Sequence, residues 1–237
     1  MPAPTFVAAY NTDWQSYGPS PFYEKTLSVS TQAGDVLVVY AGVESSSLLI
    51  DTPTGNGVTF TLQEFHDGSD NHCATYIWTG IDATGGTNWT IECVGDSEFF
   101  YWGFGVAVFR NSTGIGATDQ ITDIEGTAQT LDLTTTSDNS AVLLVQTDWV
   151  PVNGASRTWA TVNSITPSSG NGMELHYTYQ ALKYTGYAGY YSDVGSAGTK
   201  AVGVTSPANQ RYTIAAVEIE GSAGPPANTA YVSWLTA

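Results

Sequence analysis

The sequence predicts an all-β protein, a jelly-roll-like antiparallel β-sandwich that ends in an extended C-terminal arm. Three observations support this class: residues typical of strands and tight turns are abundant, only 12% of residues are charged, and no segment shows a convincing helical repeat. Glycine occurs 25 times in 237 residues, and aromatic residues make up 12% of the chain. Short apolar segments separated by Gly, Pro, Asn, Asp and Ser clusters recur along its length, as in sandwiches.

The periodicity of these segments predicts which strands are central. Nearly continuous apolar runs, as in Asp35–Val43 and Ala141–Val145, indicate strands that are covered on both faces. In Arg211–Glu220 the residues alternate, which predicts a half-buried strand with carboxylates turned outward near its end. The predicted strands are Thr5–Tyr10, Thr26–Thr31, Asp35–Val43, Val58–Phe65, Cys73–Thr79, Asn88–Cys93, Phe100–Arg110, Gln129–Thr135, Ala141–Asp148, Glu174–Leu182, Thr199–Thr205 and Gln210–Glu220.

The chain is expected to divide into one sandwich domain, residues 1–220, and a linker with a strand-like arm, residues 221–237. Pro225 and Pro226 cannot join a ladder and make a semi-rigid spacer. An exposed apolar arm would be an aggregation hazard, so a sheet edge should cover it. The acceptor is either the domain's own edge or a neighbouring copy, and the spacer favours the neighbour. The strand-forming residues of the arm are Tyr231, Val232, Trp234 and Leu235.

The charge distribution argues against nucleic acid as a partner. The formal net charge is −16, and the six basic residues are scattered rather than arranged in a stripe. Apolar runs such as Val36–Ala41 and Gly105–Phe109 are too short to span a bilayer, and the N-terminus lacks the features of a secretory signal. We therefore expect neither nucleic-acid binding nor membrane insertion, and we interpret the acidity as a source of solubility.

The two cysteines lie in a predicted hairpin. A turn-rich connection separates Cys73–Thr79 from Asn88–Cys93, and pairing about its centre would bring Cys73 near Cys93. A cross-strand disulfide is one alternative, and two buried free thiols are the favoured one.

No pattern of residues predicts an enzyme, a metal site or a cofactor. A nucleophile elbow is absent, and Glu218 and Glu220 lack the third acidic residue of jelly-roll glucanases, so both are expected on a solvated face. The Asp67–Asn71 loop has oxygen donors without the closing glutamate of a calcium loop, so a solvated turn is favoured.

Aromatic residues suggest the candidate ligand or interface residues. Trp149 and Trp159 flank a loop that contains Arg157, and a glycine-bearing stretch from His176 to Tyr191 is rich in tyrosine. Exposed aromatic rings stack on sugars and anchor protein interfaces, although packing inside the sandwich is the favoured alternative for most of them. We expect the stretch to lie partly at the surface. Its candidate residues are Tyr184, Tyr187, Tyr190 and Tyr191.

Several segments carry a resemblance to a known family. They are strand cores and turns: Ala33–Tyr40, Tyr101–Arg110, Thr147–Trp149, Ser156–Trp159, Tyr187–Val194, Arg211–Ile219 and Ala230–Leu235. In these segments the chain resembles virion proteins, often called minor tail proteins, of tailed phages of actinobacteria. The resemblance covers most of residues 26–236 and implies a particle component present in many copies. It implies no catalytic residues.

The expected function is therefore that of a structural protein on the surface of a bacteriophage virion, either a minor tail protein or a capsid decoration protein. Other virion proteins and further copies of the chain are its expected partners, and host-surface glycans are a possible one. The alternatives are a carbohydrate-binding module, which the aromatic residues favour, and a polysaccharide hydrolase, which the missing carboxylate pattern disfavours.

Overall fold

A computed structural model describes most of the chain. The described ranges are 2–12, 24–45, 49–67, 73–96, 102–123, 130–148, 157–167, 173–179 and 182–221, and for 67, 122–123, 173–179 and 182–184 only the backbone is described. Every regular element in these ranges is a strand, which confirms the all-β class. Because no helix occurs there, the described residues contain none that is suited to crossing a membrane.

The strands follow the turn signals of the sequence, with three exceptions. Ser112–Asp123 and Leu182–Tyr191 form strands that the sequence did not predict, because their glycines favour turns and bends. The two-residue strand Thr158–Trp159 was not predicted either. The strands are β1 (Thr5–Asn11), β2 (Glu24–Gln32), β3 (Asp35–Val43), β4 (Thr61–Asp67), β5 (Ala74–Asp82), β6 (Gly85–Val94), β7 (Trp102–Arg110), β8 (Ser112–Asp123), β9 (Thr130–Thr135), β10 (Ala141–Asp148), β11 (Thr158–Trp159), β12 (Met173–Tyr179), β13 (Leu182–Tyr191), β14 (Gly198–Ser206) and β15 (Tyr212–Gly221).

The sheet topology is an internal duplication. The five-stranded sheet β1-β7-β3-β5-β4 is repeated as β8-β15-β10-β13-β12, and the β2-β6 pair is repeated as β9-β14, with β11 added beside β14. All of the pairings are antiparallel. Strands β1 to β7 therefore form a first sandwich, and strands β8 to β15 form a second one with the same jelly-roll-like strand order.

The two sandwiches also share their register, so residues can be matched between them. Val36 pairs with Phe109 in the first sandwich as Ala141 pairs with Ile219 in the second. Residues at matched register positions are called equivalent below.

The two sandwiches pack face to face through their five-stranded sheets. Side chains from both sheets form one buried apolar cluster, the central layer, in which equivalent residues such as Val38 and Leu143 lie together. Two further clusters fill the space between each five-stranded sheet and its outer sheet. The molecule is thus four sheets deep, with three apolar layers between them.

This stacking explains why the inner strands are buried on both faces. Both β3 and β10 are buried along their whole length, as the sequence predicted for central strands. The half-buried assignment of Arg211–Glu220 is wrong, because β15 is buried on both faces apart from a partly exposed Glu220. Alternation reports the chemistry of a strand but not whether a second sheet covers its polar face.

The predicted hairpin between the cysteine-bearing strands is wrong as well. Strand β5 belongs to the five-stranded sheet and β6 to the outer pair, so the connection crosses between layers. Asp82 holds this crossing, since its carboxylate accepts hydrogen bonds from the backbone N–H groups of Thr84 and Gly85 and from the hydroxyl of Thr31.

The cysteines are free, buried thiols in different layers. Cys73 lies in the central layer, and Cys93 lies in the outer layer of the first sandwich. The alternative of a disulfide is therefore wrong, and the favoured alternative of two free thiols is confirmed. Burial is the main cause that raises the pKa of Cys93, and the charge of Glu92 raises it further. The linker and arm, residues 222–237, lie outside the described residues.

The central layer should dominate stability. Leu143→Ala removes a side chain that is 3% exposed between the two sheets, and we expect it to lower the free energy of unfolding by about 2–5 kcal/mol. Leu62→Ala is the matched control, because Leu62 is 47% exposed on β4 and its loss should cost less than about 0.5 kcal/mol. Urea denaturation measures both. Equal losses would show that the two sandwiches do not depend on this layer.

Candidate functional site

A cluster of polar side chains lies inside the second sandwich, on the outer face of its five-stranded sheet. Gln146 pairs with Tyr187, and Asp148 pairs with Thr185, across the antiparallel β10–β13 ladder. None of the four is more than 1% exposed. These four residues are called the polar cluster.

The first sandwich shows that this cluster is not required by the fold. The residues equivalent to Gln146, Asp148 and Thr185 are Ala41, Val43 and Ala74, all of them apolar and buried. Burying polar groups costs free energy unless they are hydrogen-bonded, so a sandwich of this kind gains nothing in stability by replacing apolar residues with them. A departure from the apolar pattern at one end of only one repeat is typical of a functional site.

Arg157 and Trp159 lie beside the polar cluster. Trp159, in β11, pairs with Val204 of the outer sheet, and its ring lies over Gly189. A Cβ atom at Gly189 would lie 3.0 Å from Cη2 of Trp159, so glycine makes room for the indole. The guanidinium carbon of Arg157 lies 5.9 Å from the centre of the Trp159 ring, which is within cation–π distance.

The electrostatics link Arg157 to the cluster. Burial raises the pKa of Tyr187, the charge of Asp148 raises it further, and the Thr185 hydroxyl and the Arg157 guanidinium partly oppose this. Burial lowers the pKa of Arg157, and Tyr187 acts in the opposite direction. At neutral pH the buried phenol of Tyr187 therefore stays protonated, close enough to Asp148 and Arg157 to be influenced by both charges. The polar cluster itself is buried, whereas Arg157 and Trp159 are partly exposed and are the residues that can contact a polar ligand by hydrogen bonds and stacking.

The tyrosines predicted from the sequence separate in space. Tyr187 belongs to the polar cluster, whereas Tyr190 lies in the central layer, stacked on Phe6 with a centroid distance of 4.4 Å. Tyr191 fills the outer layer, where its hydroxyl donates to the carbonyl of Ala160 and accepts the N–H of Gly203. Burial raises the pKa of Tyr191 to about 12.

The expected surface position of this stretch is therefore wrong for Tyr187, Tyr190 and Tyr191, which are at most 9% exposed. Trp149 and the arm residues Tyr231, Val232, Trp234 and Leu235 lie outside the described residues, and of Tyr184 only the backbone is described. The structure thus brings together Arg157, Trp159 and Tyr187 from the predicted set.

Sequence reasoning missed Gln146, Asp148 and Thr185. The available signal was the end of an apolar run, since Ala141–Val145 is followed by polar residues that continue the same buried strand. The predicted strand Ala141–Asp148 included Gln146 and Asp148, but in a sequence polar residues at the end of a strand look exposed to solvent, because the layer that covers them comes from distant parts of the chain.

The expected solvated position of Glu218 is also wrong, because the side chain is fully buried. Its carboxylate accepts the backbone N–H groups of Ala117, Thr136 and Ser137, and the hydroxyls of Thr136 and Ser140. Burial by itself would raise the pKa of Glu218, but these hydrogen bonds outweigh it and lower the pKa. Glu220 is partly exposed and accepts the hydroxyl of Ser137 at 2.7 Å.

Metal ligands are not grouped in the part of the chain that the structure describes, where no cluster of three or more His, Cys, Asp or Glu side chains is placed to hold an ion. Most of the Asp67–Asn71 loop, residues 68–72, lies outside that part.

Comparison of the chain with models of protein families, with curated proteins and with solved structures finds no match. The candidate site therefore rests on geometry alone.

Glu218→Gln should destabilise the protein, because the amide replaces one acceptor oxygen of the carboxylate with an NH2 group that faces other hydrogen-bond donors. We expect a loss of about 1–3 kcal/mol at pH 7, measured by urea denaturation. The pKa of Glu218 lies below its ordinary value of 4.5 when folded, so its stabilising effect is present above that pH and is lost as the pH falls.

The difference between the wild type and Glu218→Gln should therefore shrink below pH 4.5. Glu220→Gln is the control with a smaller effect, because Glu220 is partly exposed. A difference that is the same at all pH values would contradict the role of the buried charge.

Proposed function

We propose that this chain is a non-enzymatic structural protein on the surface of a bacteriophage virion, a minor tail protein or a capsid decoration protein, present in many copies. The resemblance of its strand cores to such proteins supports the proposal. The structure adds an observation that is independent of that resemblance, namely the arrangement of the two ends of the molecule.

The arrangement separates an attachment end from a recognition end. Gly221, at the end of β15, lies against the carbonyl of Pro2, so segments that continue from either side would leave the body at the same place. Tyr212, at the other end of β15, pairs with Asp148 of the polar cluster. The ten residues of β15 span about 33 Å, so the end of β15 beside the polar cluster lies about that far from the end at Gly221. This layout carries the proposal.

The charges are consistent with a component that is packed at high density. Of the six basic residues, Arg110 is paired with Asp35 at 2.7 Å, and Lys25 and Arg157 lie over the rings of Trp102 and Trp159. The chain has 22 acidic residues and a net charge of −16, which makes its surface acidic, and such surfaces repel one another and keep repeated copies from aggregating.

Labelling of particles tests this proposal. An antibody raised against the chain should label intact, gradient-purified particles at fixed positions in electron micrographs, because a structural component occupies defined sites. Mass spectrometry of the same particles should find the chain at a constant ratio to the major capsid protein. Finding the chain only in the particle-free supernatant would contradict the proposal.

A second candidate function is glycan binding, and the stacked Arg157 and Trp159 beside the polar cluster favour it. Aromatic faces and planar guanidinium groups recognise sugar rings through stacking and hydrogen bonds. On a virion such a site would serve attachment to the host surface.

Substitutions in this site test the second candidate. On host cell-wall polysaccharide, Trp159→Ala and Arg157→Ala should each weaken binding about tenfold, or about 1.4 kcal/mol, in calorimetry. Lys200→Ala removes a positive charge from β14, outside the polar cluster, and should leave the affinity unchanged. Equal affinity of all three variants would place any glycan elsewhere, and this result would leave the virion proposal standing.

A further inference from the structure

A pocket of about 460 Å³ opens at the edge of the central layer. It lies where β5 of the first sandwich meets β8 of the second. Its walls are formed by Val36, Thr61, Thr79, Ile81, Gly114 and Ile115.

The internal duplication shows what is missing from this pocket. Thr79 pairs with Val38 as Tyr190 pairs with Leu143, so Thr79 and Tyr190 are equivalent. Ile115 is equivalent to Phe6 in the same way, because Ile115 pairs with Ile219 as Phe6 pairs with Phe109.

At the matching place on the other side of the central layer, the ring of Tyr190 stacks on Phe6 at 4.4 Å, with 12° between the planes. Its edge contacts Phe109 at 5.9 Å. In the pocket, threonine replaces this tyrosine and isoleucine replaces the phenylalanine. The pocket therefore occupies the place of an aromatic ring, with added room for a ring larger than a phenol.

We propose that the pocket binds the indole of Trp234, from the C-terminal arm of the same chain. The last described residue, Gly221, pairs with Ser112, and Gly114 of the pocket wall lies two residues further along β8, about 7 Å away. The chain therefore leaves the body beside the pocket. The 13 residues from Gly221 to Trp234 can span about 43 Å, so the linker has ample length to return.

The position of Gly221 beside the pocket favours the chain's own arm as the occupant over the arm of a neighbouring copy. A tether of this length holds Trp234 at a high effective concentration near the pocket of its own chain. The arm of a second copy competes only when that copy is present at a comparable concentration. The spacer argument from the sequence favoured a neighbouring copy, but it took no account of where the chain leaves the sandwich.

The chemistry of the walls suits an indole. The hydroxyl of Thr61 is an acceptor for the indole N–H, since that of Thr79 already accepts the side-chain amide of Gln63 at 2.7 Å. Val36 and Ile115 offer apolar surface to the faces of the ring. Ile81, at the rim, is 55% exposed and offers further apolar surface next to the pocket. Tyr231, Val232 and Leu235 of the arm would cover it. This assignment does not depend on whether the chain is part of a virion.

A cross-link in the full chain tests the location and the source of the arm. In the double variant Ile81→Cys with Leu235→Cys, which keeps Trp234, mild oxidation should form a disulfide within one chain, seen as a monomer with altered mobility on a non-reducing gel. Cys73 and Cys93 are buried and should remain reduced. Thr199→Cys with Leu235→Cys is the matched control, because Thr199 lies on β14 in the outer sheet, and it should not cross-link. A cross-linked dimer, or no preference for position 81 over position 199, would overturn the proposal.

A second variant, Thr79→Tyr, fills the pocket with a side chain instead of cross-linking it to the arm. Thr79→Tyr restores the ring that the second sandwich already has at the equivalent position, so it should displace the arm without unfolding the protein. Chymotrypsin should then cleave the full chain at Tyr231 and Trp234 at least ten times faster than in the wild type, as followed by mass spectrometry. Leu62→Tyr adds the same side chain at an exposed site on β4 and should leave the rate unchanged. Equal cleavage rates in Thr79→Tyr and the wild type would also overturn the proposal.

Discussion

The structure depends on the apolar contact between the two five-stranded sheets. Once these sheets pack together, the central strands of each sheet have a neighbouring layer on both sides, and their residues must be apolar on both faces or satisfied by hydrogen bonds. Strands β3 and β10 meet this demand along their whole length. The two repeats are therefore held together by the same kind of layer that holds each repeat together, and the chain behaves as one four-sheet body rather than as two linked modules.

The buried carboxylates follow from this stacking. Where the chain crosses from an inner sheet to an outer one, backbone N–H groups are left without a ladder partner, and a carboxylate is the strongest acceptor available for them. Asp82 holds the crossing between β5 and β6. Asp35 accepts the N–H of Gln32 and pairs with Arg110, and Glu218 collects the N–H groups between β9 and β10. Residues that look like candidates for acid–base chemistry thus act as structural acceptors.

The duplication provides an internal reference, and the two repeats differ from each other in two informative places. The second repeat contains the polar cluster where the first has an apolar core around Ala41 and Val43. The first repeat contains a pocket where the second has the ring of Tyr190. A shared fold requires neither difference, so both are positions where the demands on the two repeats have diverged. The two places lie in different layers: the polar cluster is inside the second sandwich, and the pocket opens at the edge of the central layer.

The sequence by itself determined the all-β class, most strand positions and the central place of β3 and β10, because turn residues and apolar runs are local signals. It also named Arg157, Trp159 and Tyr187. Only the tertiary structure decided that the strands form two repeats, that Glu218 and the tyrosines are buried, and that β5 and β6 part into different sheets. The segments 26–31 (TLSVST) and 130–135 (TLDLTT) both begin and end with threonine and have leucine or valine at their second and fourth positions, a faint trace of the repeat. The physical reason is that periodicity reports the chemistry of each face of a strand, whereas the layer that covers a face comes from residues far away in the chain.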